Sequence, residues 1–202
     1  MKMHGIIYLF NKTYTMKKLF LIPATLLAVV SFQACNNNQQ NTDSVDSAQE
    51  MNDSMMVNSE AHSTDFLTEA ASGGMMEVEL GKLAQEQASH PRVKAFGQMM
   101  VTDHTKANSE LMALAQSKSV ALPAEMGEDH QEHFNDLKAK KGADFDKAYM
   151  DMMVKDHKED VDAFEDAAQD TEDAEVSAFA SKTLPVLKMH LDSAQAIHDA
   201  LK

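Results

Sequence analysis

Glu77, His104, His157 and His190 are the residues whose types and spacing could do chemistry in this chain. Two of the histidines sit in an internal repeat. Met99-Met100-Val101-Thr102-Asp103-His104 occurs again as Met152-Met153-Val154-Lys155-Asp156-His157, alike at five of six positions. Each copy places a Met four residues before the His, so on a helix both side chains share a face one turn apart. One carboxylate with three imidazoles can ligate zinc, iron, manganese or copper, because imidazole suits all four and the carboxylate adds charge balance. Met100 and Met153 could supply soft thioethers and would tilt the choice toward copper. The bland alternative is that each His is a satisfied core residue and the methionines fill space.

Such a set works only if four helices deliver it to one depth, and the apolar periodicity predicts four. The first begins near Ser63-Thr64-Asp65, residue types that cap helices, and carries Phe66, Ala70, Gly73, Leu80 and Ala84 on one stripe to about His90. Pro91 suits the first turn of the second, whose seam is Val93, Gly97, Met100, Ala107, Leu111 and Leu114, with a stop by Pro123. A weaker stretch, Glu125 to Lys141, reads as a short helix inside a long crossover. The third helix runs from about Ala143 to Ala168. The fourth follows the acidic cluster Asp170 to Asp173, which suits a helix N-terminus, and holds Pro185 in its interior, where a kink is expected. Short, long and short connections give an all-α, ferritin-like four-helix bundle with one crossover.

Each seam contains one of the four ionisable residues near mid-helix. Burying them unpartnered would cost several kcal/mol, so they must satisfy one another, hold water or bind an ion. A phase error of one residue would instead turn Glu79 inward, or Asp103 and Asp156 in place of their histidines. His62, His90, His130, His133 and His198 read as loop, end or surface residues. A function class without metal stays open beside this one: a structural or partner-binding module of the cell envelope, in which the inner residues matter only for packing. Nothing here points to an enzyme.

The N-terminus carries an address rather than a fold. Met16-Lys17-Lys18, the apolar run Leu19 to Phe32 and then Phe32-Gln33-Ala34-Cys35 are similar to a bacterial lipoprotein signal peptide, with Cys35 as the lipidated mature N-terminus and Met16 as the natural start. The apolar run is shorter than the ~20 residues a membrane span needs. Residues 1–35 are therefore expected to be signal, 36–63 a disordered tether and 64–202 the bundle. The tether's Met51, Met55 and Met56 read as incidental residues rather than a metal-capture segment. Cys35 is the only cysteine, so the folded part has neither disulfides nor thiolate ligands. Loss of the four lysines before Cys35 would deepen the net charge from −14 to −18, which excludes nucleic acid as a partner. The expected location is the cell envelope, lipid-anchored and facing the periplasm at the outer membrane. A homo-oligomer stays open.

Three segments carry a resemblance to a known family: Phe66 to Gly81 (FLTEAASGGMMEVELG), Met100 to Asn108 (MVTDHTKAN), and Leu184-Pro185 followed by His190-Leu191. Together they resemble the domain of unknown function 4142 family, over about Thr64 to Leu201. The resemblance implies a ferritin-like fold and an exported, outer-membrane-associated protein, with no activity attached. It does not bring ferritin's di-iron site, because no Glu or Asp stands three residues before His104, His157 or His190.

Overall fold

A computed structural model describes residues 43–55, 61–169 and 173–202. The chain divides into two units, 1–38 and 39–202. The described residues all lie in the second, so the signal peptide and Cys35 lie outside them, as does Met56 within the second unit. What is described is all-α: α1 (Ser44–Met55), α2 (Ala61–Gln87), α3 (Pro91–Lys118), α4 (Glu128–Lys138), α5 (Gly142–Gln169) and α6 (Ala174–Ala200). Among the described residues no helix is long and apolar enough to cross a membrane.

The long helices α2, α3, α5 and α6 begin and end where local chemistry directs. Pro91 opens α3, where a missing N–H costs nothing, and His90 Nδ1 accepts from Arg92 N. Ser119 closes α3 in the left-handed region (φ 60°), so its N–H reaches back to the carbonyls of Ala115 and Gln116. Asp173 caps α6 by accepting from Glu175 N and Val176 N, both at 3.1 Å. Pro185 lies inside α6 as expected. The turn between α2 and α3 is held from a distance by the buried Asp146 of α5, whose carboxylate accepts from the backbone N–H of Ser89 and of His90.

The helices pair most extensively as α2 with α3 and α5 with α6. Glycines bring the first pair close. A Cβ on Gly81 would lie 2.7 Å from the carbonyl oxygen of Gly97, and one on Gly97 would lie 2.7 Å from Ala84 Cβ. A Cβ on Gly74 would lie 2.1 Å from Asn108 Oδ1.

Residues 36–63 differ from the sequence expectation, because α1 forms inside the expected tether. Its seam is short: Val45, Ala48 and Asn52 are buried while Met51 and Met55 stay exposed. Asn52 compensates for the thin apolar face by pairing twice with Ala121, donating to its carbonyl at 3.0 Å and accepting from its N–H at 2.7 Å. Asp43 caps α1 and also reaches Glu128 N at the start of α4. One short helix thus braces the crossover. Ser72 of α2 does the same from the inside: its hydroxyl accepts from Gly127 N at 2.8 Å and bonds His130 Nδ1 at 2.7 Å.

The apolar interior is divided in two. One cluster runs from Met76 and Leu80 through Phe96, Met100, Tyr149 and Met153 to Ile197. The other gathers Leu67, Leu111, Phe164, Phe179 and Leu187. All four long helices pass from one cluster to the other, α3, α5 and α6 across His104, His157 and His190, and α2 just before Glu77.

Candidate metal centre

The four residues that the sequence places on the seams are all buried: Glu77 is 3 % exposed, His104 6 %, His157 0 % and His190 1 %. Glu77 rather than Glu79 is buried, and the histidine is buried in both copies of the repeat; in the second copy the preceding Asp156 is buried as well, whereas Asp103 is not. The three rings approach one another with centroids 5.3 to 5.8 Å apart. One ring nitrogen from each falls within 4.8 Å of the others.

Hydrogen bonds assign the tautomers. His104 Nδ1 lies 2.6 Å from Glu77 Oε2 and donates to it. His157 Nδ1 donates to the carbonyl of Met153 at 3.0 Å, one turn back on its own helix, and lies 3.3 Å from Glu77 Oε1. His190 Nε2 donates to Asp103 Oδ2 at 2.9 Å. Each imidazole therefore spends one nitrogen on an acceptor and turns a lone pair on the other into the interior. Those remaining atoms, His104 Nε2, His157 Nε2 and His190 Nδ1, are buried and have no hydrogen-bond partner among the described residues.

The protonation states agree with this. Burial pushes the His190 imidazole down to about 4, against the pull of the Asp103 hydrogen bond, and pushes His157 down as well, so both are neutral at pH 7. Burial alone would raise Glu77, but its electrostatic interaction with the His104 and His157 rings and the His104 hydrogen bond outweigh it and hold the carboxyl at about 2. Two further carboxyls lie near on α5. Burial, with the negative charge of Glu77, raises Asp156 to about 7 and Asp160 well above the carboxylate range.

The three imidazoles fit a metal. Nitrogens bound tetrahedrally at 2.0–2.1 Å sit about 3.4 Å apart, so an ion would draw the rings in by no more than about 1.4 Å from the 4.8 Å bound. The partners of the other nitrogens are the kind that orient metal-bound imidazoles: a carboxylate for His104 and for His190, a backbone carbonyl for His157. Glu77, expected from sequence in the ligand set, does not fall in the group of three imidazole nitrogens; it stands behind His104 and groups instead with His157 and Asp160.

Residues 46–197 match the family described as Domain of unknown function (DUF4142). The chain belongs to that family. No curated protein and no solved structure matches it.

Three participants escaped the sequence reading. Asp103 was weighed only as a replacement for His104, yet it partners His190 across 87 residues of chain. Asp160 carried a signal that could have been used, since it follows His157 by three residues and so shares its face. His130, set aside as a surface residue, is half-buried against Gly73 and bonds Ser72.

Proposed function

We propose that this DUF4142 domain holds one transition-metal ion between its helices, bound by His104 Nε2, His157 Nε2 and His190 Nδ1, with Glu77 and Asp103 orienting the imidazoles and balancing charge. The observation that carries the reading is the set of three buried lone pairs with no other acceptor function to serve. Leaving each unpaired would cost about 1–3 kcal/mol, and one cation relieves all three. Three imidazoles leave a coordination position open, and they suit Zn(II), Fe(II) or Cu(II) better than a hard cation. The connectivity supports a ferritin-like four-helix bundle with α4 in the crossover, although the donor set is not that of a di-iron site.

The test is calorimetry of metal-stripped protein titrated with Zn(II), Mn(II), Fe(II) and Cu(I), beside His157→Ala. At a hundredfold excess over its dissociation constant a bound ion adds about 2.7 kcal/mol of stability. The variant should lose that gain while keeping its helical content. If no ion shifts the melting temperature, the quartet is a hydrogen-bonded core cluster and the acidic surface becomes the place to look for a partner.

The address belongs to the same proposal: the domain stands in the cell envelope, facing the periplasm, tethered by lipid on Cys35. Cys35→Ala should move the protein from the membrane fraction to the soluble exported fraction. A variant that stays in the membrane would point to an uncleaved anchor instead.

A further inference from the structure

A cation bound by imidazoles this deeply buried needs a way in, and one face of the molecule offers it. Between α1, α2, α4 and α5 lies a groove of about 680 Å³ walled by Glu69, Glu128, Asp129, Glu132 and Glu159, with Asp43 and Asp46 at its rim and Lys155 as its only Lys or Arg. Glu69, His130 and Glu159 also wall a second hollow of about 420 Å³, which continues inward to Gly73 and Asp160. Gly73, Ala70, Asp160 and Phe164 in turn wall a cavity of about 30 Å³, the share of a single water, that reaches Glu77 and His104. The three spaces share lining residues, and their volumes fall from the acidic groove to the cavity at Glu77 and His104.

An acidic groove alone would say little, since this chain is acidic everywhere. Two observations separate this one. At its inner end Glu77 Oε1 is buried and accepts no hydrogen bond among the described residues, and Glu77 lines the smallest cavity. Glu77, His157 and Asp160 each bring a donor atom within 4.8 Å of the others, a set that could hold a cation on its way to the imidazoles. Gly73 lies at this passage: a Cβ there would meet His130 Nε2 at an ordinary 3.6 Å, and a side chain longer than alanine's would extend into the opening.

Resting on the metal reading, we infer that a divalent cation reaches the three imidazoles through this groove, passing Gly73 and handed inward by Asp160 to Glu77. Asp160, held protonated in the empty protein, gives its proton to solvent as the cation arrives, and it is then a station on the path rather than a ligand of the final site. That distinction has a thermodynamic signature, because a residue that acts only on the path changes loading and release by the same factor and leaves the dissociation constant alone. The outer carboxylates act earlier by raising the local cation concentration, an effect that salt screens.

The experiment is stopped-flow uptake of Co(II) by the metal-stripped chain, read by visible absorption, with release measured by a chelator chase. Asp160→Asn should slow uptake and release together, each by about tenfold or more, with the dissociation constant held within about twofold. Glu128→Gln combined with Asp129→Asn, both on the outer wall, should slow uptake at low ionic strength and lose that effect in high salt, whereas Glu79→Gln, half-buried on α2 and outside the groove, should do neither. Asp160→Asn that loads at the wild-type rate overturns the route. So does one that weakens equilibrium binding without slowing uptake, since it would make Asp160 a ligand. Wild-type chain that takes up no Co(II) ends the metal reading itself, and the route with it.

Discussion

The two copies of the repeated hexapeptide have the same local sequence and different fates. In both, the Met is fully buried in the same apolar cluster and the His, one turn later, joins the polar layer. Position five separates them. Asp103 is about one-third exposed and accepts from His190 Nε2, whereas Asp156 is buried with Oδ2 unpartnered and its carboxyl raised to about 7. α3 faces α6 at Asp103, and α6 presents an imidazole there. Nothing on α5's neighbours does the same for Asp156. A repeat therefore copies burial, which helical phase sets, but not partnership, which the neighbouring helix sets.

The comparison breaks most clearly at the metal. Asp103→Asn removes the acceptor that orients His190, and affinity for Zn(II) or Co(II) should fall about 10- to 100-fold, the usual loss when an orienting carboxylate is removed. Asp156→Asn should leave affinity within about threefold, on the order of 0.6 kcal/mol. Competition with a chromogenic chelator reads both, and equal losses in the two variants would show that the copies are functionally alike.

A smaller effect sharpens the same contrast through acid stability of the metal-free protein. His190 is lowered from 6.5 to about 4, so between those values the unfolded chain takes a proton that the native chain refuses, and stability falls on acidification. Asp156 is raised from 3.8 to about 7, so across that range the native chain keeps a proton that the unfolded chain has released, and stability falls as pH rises. From about 4 to 6.5 the two slopes oppose each other. Asp156→Asn removes one of them. In urea unfolding at pH 4.5 to 6.5 the variant's stability should rise with pH more steeply than wild type's, by up to about 1.4 kcal/mol per pH unit. Parallel curves would mean that native Asp156 is ionised after all.

Much of this was legible in the sequence for one reason: long helices with three- and four-residue apolar steps state their own phase. That phase singled out Glu77 over Glu79 and turned three of nine histidines inward. The short helix α1 was not legible, because its face is only Val45, Ala48 and Asn52 in an otherwise polar stretch, and Asn52 is held by the backbone of Ala121, 69 residues away. Asp103 was missed for the reason that separates the two copies, since its partner lies on another helix. Glu77's place behind His104 was missed because seam position fixes which way a side chain points, not which of its neighbours it bonds first.

On the proposed metal reading, the close crossing of α2 and α3 has a consequence for which ions the domain would tell apart. Gly74 lies before Glu77 on α2 and Gly81 after it, against Asn108 and Gly97 of α3 on either side of His104. At the Gly81–Gly97 crossing the backbone leaves no room for a methyl group, and at Gly74 one would have to displace the Asn108 side chain, so the bond between Glu77 and His104 is flanked by close contacts on both sides. One wall of the binding space therefore has a fixed position, at a cost of roughly 0.5–1 kcal/mol for each mid-helix glycine. His157 and His190 come from the other helical pair, and any adjustment to a larger or smaller radius falls to them. If an ion binds, discrimination by size is delegated to the packing of one helical pair against the other, and a substitution at that seam would retune the ion preferred without altering a donor atom.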